Sequence, residues 1–212
     1  RMSIKTVQRK KKTNRITGVG ITPDHLTSRG GLSLFSRYVE GIGIRPTFER
    51  LFGSMRKNGK GQPIDAIMKQ MLCFFADGTS RHLVHFDRLK KDAGYAGAIE
   101  SGLEELISSH AAKRFFKAFS WPRIWLFRRL LQQLFLWRLR IIRPPVIELG
   151  IDTMVMDNDE AKARHGVEPT YKNVKGFQPL QMTWGRFIID AVFRGGKKHS
   201  NNGDTVEQMV RH

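Results

Sequence analysis

The chain contains the stretch Val146-Ile147-Glu148-Leu149-Gly150-Ile151-Asp152-Thr153-Met154-Val155-Met156-Asp157-Asn158-Asp159, which follows the pair Pro144-Pro145. Its β-branched and aliphatic residues favour a buried strand. Asp152 interrupts the apolar run, and an ionised carboxylate in a buried strand is costly unless a metal ion or another cation neutralises it. The stretch therefore predicts a divalent-metal site at Asp152. The alternative is that Asp152 lies at the end of the strand and caps the turn that follows.

The composition indicates a folded and strongly basic protein. The chain has 212 residues, a formal net charge of +18 and a pI near 10.6, and this length suits one large domain or two small ones. Its 14 Phe and 4 Trp residues supply ample material for a packed core. The excess of Lys and Arg indicates a polyanionic partner, most commonly nucleic acid, with an anionic membrane surface as the alternative.

Cysteine usage and hydropathy restrict the class of protein further. The single cysteine, Cys73, excludes a disulfide framework and a Cys-based zinc site. It lies in the apolar run Met71-Leu72-Cys73-Phe74-Phe75 and is predicted to be buried. Neither a signal peptide nor an apolar run of about 18 residues is evident, so we expect a cytoplasmic protein.

The N-terminal part is predicted to be a basic flexible arm over residues 1–27, because Arg1 to Arg15 contains no acid. Such an arm can follow DNA phosphates or act as a solubilising tail. From Leu32 to Phe119 the apolar residues recur with a helical period, and Gly94 and Gly97 interrupt the pattern. A helix over His110–Phe119 carries several cations. The cations that we expect to contact DNA in these regions are Arg9, Lys10, Lys11, Lys12, Arg56, Lys57, Lys60, Lys113, Arg114 and Lys117.

The next predicted helix is the best defined, with Ser120 as its N-cap and Pro122 in its first turn. Its apolar residues cover most of the circumference, which favours a helix buried among others. A helix with a DNA-facing edge is the second interpretation, and a helix on a membrane surface is the third.

After Pro145 the apolar period changes from about 3.6 to about 2, which indicates a new structural layer. The segments Pro179–Trp184 and Phe187–Phe193 predict a hairpin with a Gly-Arg turn. A basic loop with Lys197 and Lys198 follows, and these two residues are further candidates for DNA contact. Asp204 then caps a helix close to the last residue, so we expect the second module to be cut short. The fold class is therefore α+β.

Three segments carry a resemblance to a known family. They are Gly176–Gly196, Asp77–Leu83 and Ser109–Phe116, and they resemble bacterial insertion-sequence transposases of the DDE class. The resemblance extends over most of the chain from about Ile16. It implies an all-α DNA-binding domain over residues 28–143, followed over 146–212 by the first part of an RNase H-like catalytic domain (strand, hairpin and the start of a helix).

The resemblance also implies a reaction, in which three carboxylates hold two Mg²⁺ or Mn²⁺ ions that catalyse phosphodiester cleavage and strand transfer. Asp152, followed by Thr153, corresponds to the first carboxylate, as a catalytic and metal-binding residue. The second Asp and the Glu are expected after His212, so this chain alone is expected to be inactive. Asp190 is expected to be structural or to face solvent, because the third strand of that fold is not adjacent to the first.

The implied partner is double-stranded DNA, both the transposon terminal repeats and the target, in a bacterial cytoplasm at the nucleoid. A homodimer within the DNA complex is compatible with this interpretation, whereas membrane binding is not part of it. The alternative function is a truncated DNA-binding protein without catalysis, or a repressor derived from such an element.

Overall fold

A computed structural model describes residues 27–56, 61–160, 164–199 and 202–212. Helices come first along the chain and strands follow, as the α+β prediction requires. The predicted DNA contacts at Arg9, Lys10, Lys11, Lys12, Lys57 and Lys60 lie outside the described residues. None of the described helices combines the length and apolar character that a membrane span requires.

The helical elements of the described residues run from residue 31 to residue 142, with one more near residue 205. The α-helices are α1 (Gly31–Gly41), α2 (Ile44–Phe52), α3 (Ile64–Asp77), α4 (Phe86–Leu89), α5 (Ala93–Ala98), α6 (Ser109–Lys117), α7 (Trp121–Ile142) and α8 (Thr205–Arg211). Short 3-10 helices occupy Gly53–Met55, Leu83–His85 and Leu103–Glu105.

The strands form two antiparallel sheets of three strands each. They are β1 (Gly150–Thr153), β2 (Met156–Asp157), β3 (Glu168–Pro169), β4 (Lys175–Phe177), β5 (Leu180–Trp184) and β6 (Phe187–Val192). One sheet has the order β1-β5-β6 and the other the order β2-β4-β3. The predicted hairpin is confirmed as β5 and β6, and Gly185 in its turn has φ +55°, a backbone conformation that glycine adopts readily.

The described residues divide into two compact units, one within residues 27–45 and 66–109 and the other within residues 46–65 and 110–212. In the first unit, Phe74 of α3 stacks on Phe86 of α4 with ring centroids 4.6 Å apart. Cys73 of α3 is fully buried, as predicted. The second unit contains α7, α8, both sheets and α6 from His110 onward, whereas Ser109 belongs to the first unit.

Helix α5 corrects the prediction that Gly94 and Gly97 interrupt the helical pattern, because both glycines lie within this helix. The Asp92 side chain accepts a hydrogen bond of 2.9 Å from the Tyr95 N–H and so caps the helix. Gly94 is buried, which places a residue without a side chain where α5 meets the core of the first unit.

One face of the β1-β5-β6 sheet is covered by α7 and α8. Leu180, Met182 and Ile189 form a buried cluster with Met209 of α8, and Phe135 of α7 packs against it. Ile151 belongs to the same face, since it is paired with Met182. Side chains alternate along a strand, so the neighbouring Asp152 lies on the opposite face.

Helix α7 does not have the buried environment predicted for it. Leu130 is its buried residue, whereas Trp121, Trp137 and Ile141 are each more than half exposed. The observed packing is one-sided: Phe127 contacts the Phe52 ring (centroids 6.2 Å apart), and other side chains contact the sheet. An apolar circumference was therefore a poor guide to burial here, because the described neighbours cover only part of it.

Candidate nucleic-acid interface and carboxylate site

Four cationic or titratable side chains form one row on α6. His110, Lys113, Arg114 and Lys117 lie at positions i, i+3, i+4 and i+7, a spacing that places side chains on one face of an α-helix. All four are exposed. We refer to them as the α6 stripe. It brings together three of the cations predicted from the sequence to contact DNA.

The opposite side of α6 is held by apolar packing. Ala112 is fully buried and Phe115 nearly so. The Phe119 ring packs edge-on against the Phe115 ring with centroids 5.3 Å apart, and it also contacts the Phe52 ring at 5.6 Å. This aromatic cluster fixes the rotation of α6 about its axis, so the stripe faces solvent.

Polar contacts fix both ends of α6. At its start the Asp87 carboxylate accepts hydrogen bonds from the N–H of Ser109 (2.9 Å) and from its hydroxyl (2.7 Å), which places a negative charge at a helix N-terminus. At its end, Arg123 donates to the Ala118 carbonyl at 2.6 Å. The first contact stabilises the positive end of the helix dipole, and the second pairs a carbonyl that the helix leaves free.

The sequence segment that contains the stripe carries no acid. No Asp or Glu occurs between Glu105 and Glu148, a segment with nine Lys and Arg residues. Among the described residues no carboxylate pairs with Lys113, Arg114 or Lys117. Their charges are therefore available to an external anion.

The remaining described candidates differ in exposure. Arg56 is half-buried at the end of the Gly53–Met55 turn, where its backbone N–H donates to the Gly53 carbonyl. Lys197 and Lys198 are exposed in the loop after β6. The Lys197 ammonium lies 4.0 Å from the Glu168 carboxylate, so part of its charge is compensated.

Asp152 is exposed, and its predicted burial is therefore wrong. It lies on β1, an outer strand of the sheet, and β5 pairs with that strand on one side. Its Oδ1 accepts a 2.7 Å hydrogen bond from the Thr153 N–H. Because the side chain is exposed to solvent, the cost of burying a charge no longer argues for a metal ion at this position.

The described residues contain no group of three or more His, Cys, Asp or Glu side chains arranged to hold a metal ion. Asp152 offers one hard oxygen donor, which suits Mg²⁺ or Mn²⁺ chemically. A single carboxylate does not make the two-ion site that the resemblance implies, so no cleavage step follows from this arrangement.

Comparison with known proteins finds no match. This holds for protein-family models, for curated proteins and for solved structures. The resemblance to DDE transposases therefore stays a prediction that depends on the three segments quoted above.

Asp190 is a structural carboxylate of the second unit. It lies on β6, which β5 separates from β1. Its side chain is almost fully buried, and Arg128 of α7 binds both of its oxygens at 2.7 and 2.6 Å. Of the two predicted roles, structural or solvent-facing, the structure confirms the structural one. The role of Arg128 was not predicted, because 62 residues separate it from Asp190 and no local pattern links the two.

Arg194 is a second residue that the sequence reasoning missed. It is buried two residues after β6, and its Nε donates to the Gln178 carbonyl at 3.1 Å. Burial lowers the pKa of this guanidinium below its ordinary value. The Gln178 side chain donates in turn to the carbonyls of Gly196 and Lys198. These contacts fix the loop that presents Lys197 and Lys198.

Proposed function

We propose that this chain binds double-stranded DNA through the α6 stripe. The observation that carries the proposal is the alignment of Lys113, Arg114 and Lys117 on the exposed face of a helix whose opposite face is anchored by Phe115. The row from His110 to Lys117 is about 10 Å long at the helical rise of about 1.5 Å per residue. A row of unpaired cations on a rigid helix suits contacts with DNA phosphates, which position a protein without reading sequence.

The biological function that we propose is that of a DNA transposase of the DDE class, acting on transposon terminal repeats and target DNA. It is supported by the three segments that resemble the family. It is also supported by the order of elements along the chain, in which strand β1 comes first, the hairpin β5-β6 pairs with it in one sheet, and helix α8 comes last. An RNase H-like domain is expected to open with this succession of elements. Asp152, on β1, is the residue that would bind Mg²⁺ or Mn²⁺ there, and such ions would supply activation of the attacking hydroxyl and stabilisation of the leaving oxygen.

The expected activity of the isolated 212-residue chain is DNA binding without cleavage, because the resemblance assigns it one of three required carboxylates. Incubation of the chain with supercoiled plasmid carrying terminal repeats, in Mg²⁺ or Mn²⁺, tests this. We expect no nicking. Nicking by the wild-type chain that Asp152→Ala abolishes would contradict the expected inactivity.

The second candidate function is a non-catalytic DNA-binding protein, for example a repressor derived from such an element. It is favoured by the exposure of Asp152, which removes the energetic argument for a metal ion. Binding to terminal-repeat DNA and to random DNA, compared at several salt concentrations, separates specific from purely electrostatic binding. Both candidate functions require DNA binding, which we assign to the α6 stripe.

A salt titration tests that shared requirement. Each phosphate neutralised by a cation contributes about −0.9 to the slope of log K against log salt concentration. Replacing Lys113, Arg114 and Lys117 together by Ala is therefore expected to make the slope less steep by about 2.7 units. Lys90→Ala, an exposed lysine of the first unit, is the matched control and should change the slope little. An equal slope for wild type and the triple variant would refute the proposal.

A further inference from the structure

Helix α7 presents a second, chemically different surface. Every fourth residue from Trp121 to Trp137 is exposed, and the row reads Trp121, Trp125, Arg129, Gln133 and Trp137. We refer to this row as the α7 ridge. Successive members are about 6 Å apart along the helix axis and about 40° apart around it, so the ridge winds by about 160° around α7 from Trp121 to Trp137, a path that a flexible strand can follow. Trp121 and Trp137 are 77% and 55% exposed, so large aromatic faces stand in solvent at both ends of the ridge.

Positive charge is interleaved with these aromatic side chains. The Arg129 guanidinium lies 5.4 Å from the centre of the Trp125 ring, within the range of a cation–π contact. Arg140 is also exposed, three residues beyond Trp137. The acid-free segment between Glu105 and Glu148 contains the whole of α7. A partner for this ridge must therefore combine negative charge with flat apolar groups.

This requirement disfavours a second copy of α7 as the partner of the ridge, because self-association would bring arginines together without an acid to pair them. It also distinguishes the ridge from a helix that lies on a membrane. Such a helix separates its cations from its apolar face, whereas Arg129 lies between Trp125 and Trp137 in the same row. Duplex DNA does not meet the requirement, since its base faces are hidden in the stack.

We propose that the α7 ridge binds single-stranded nucleic acid, with unpaired bases stacked on Trp121 and Trp137 and phosphates paired with Arg129 and Arg140; the Trp125 ring already contacts Arg129 and the His212 ring. Alternation of aromatic platforms and cations is the way in which proteins bind single strands without reading their sequence. The inference rests on the proposed function in one respect, namely that the chain is a nucleic-acid-binding protein. It adds a second ligand, an unpaired strand, and a second binding surface.

The test is binding of a 20-nucleotide oligo-dT to the full 212-residue chain, measured by fluorescence anisotropy of a labelled oligonucleotide. Stacking contributes about 5- to 150-fold in affinity per base, so Trp137→Ala should weaken binding at least about 5-fold. Trp137→Phe retains an aromatic face and should restore most of the affinity. The control is Ile142→Ala, an exposed apolar residue of α7 that lies outside the ridge and should have no effect.

Duplex binding, measured in parallel, separates this inference from the proposed function. Loss of oligo-dT affinity in Trp137→Ala, with unchanged duplex affinity, supports the α7 ridge as a distinct site. Oligo-dT affinity equal to wild type overturns it, even where duplex binding through the α6 stripe is intact. Loss of binding to phosphatidylglycerol vesicles in Trp137→Ala, with unchanged oligo-dT binding, also overturns it and assigns the ridge to a membrane surface.

Discussion

Replacement of Asp190 by Asn removes one charge from the ion pair that joins α7 to β6. The Asp190 and Arg128 side chains are only 2% and 16% exposed, and two hydrogen bonds of 2.7 and 2.6 Å join them. Loss of one partner of a buried pair costs about 3–5 kcal/mol, because the other charge stays buried without compensation. Arg128 retains some contact with water, so we expect the free energy of unfolding to fall by about 3 kcal/mol, the lower end of that range.

Urea unfolding followed by tryptophan fluorescence measures this loss in the relevant part of the chain. All four tryptophans, Trp121, Trp125, Trp137 and Trp184, lie in the second compact unit. A double-mutant cycle uses Asp190→Asn, Arg128→Met and the double variant. The double variant removes both charges and should be more stable than Asp190→Asn alone. A loss below about 1 kcal/mol, the value typical of an exposed pair, would contradict strong coupling between these two buried charges, as would strictly additive effects.

Two further predictions concern the core and a turn. Burial raises the pKa of the Cys73 thiol from 9.0 to about 11, so the folded chain should resist alkylation by iodoacetamide at pH 8.5. Because the folded state holds the thiol proton more tightly, the contribution of Cys73 to stability is complete below pH 9 and is lost as the pH rises towards 11. The free energy of unfolding should therefore decline less steeply over that range in Cys73→Ala than in the wild type. A Cβ at Gly196 would clash with the backbone oxygen of Glu168, so Gly196→Ala should lower the unfolding temperature. The control is Gly97→Ala, which has no atom within 4 Å of its new Cβ and should not lower it. Equal unfolding temperatures for the two variants would contradict a clash at Gly196.

Local sequence signals account for the elements that the sequence predicted. The Gly185-Arg186 turn specifies the β5-β6 hairpin because glycine adopts the required positive φ. Ser120 occupies the N-cap of α7, although its side chain makes no capping hydrogen bond. Helix α5 was missed because Gly94 was interpreted as a helix breaker, whereas burial and the Asp92 cap stabilise it. The sheet β2-β4-β3 was missed because its strands of two or three residues carry no periodic pattern and depend on non-local pairing.

Some features of the candidate site follow from local sequence, and others depend on non-local packing. The α6 stripe could be predicted, since its exposed cations and buried Ala112 and Phe115 follow the helical period. The exposure of Asp152 could not, because the apolar residues of its strand do not reveal that Asp152 lies on the sheet face opposite α7 and α8. The pairing of Arg128 with Asp190 and the exposure of the α7 ridge likewise depend on which elements pack together. Such packing is not encoded in any single segment.

Direct contact between DNA and the α6 stripe can be measured through a new cysteine, because the native thiol of Cys73 is buried. In His110→Cys the introduced thiol lies on the stripe, and in the control Val84→Cys it lies at an exposed position of the first unit. The measurement is the rate of thiol alkylation with and without saturating duplex DNA. We predict that DNA slows alkylation of Cys at position 110 at least tenfold and leaves position 84 unaffected. An unchanged rate at position 110 with DNA fully bound would show that the α6 stripe is not the surface that contacts DNA.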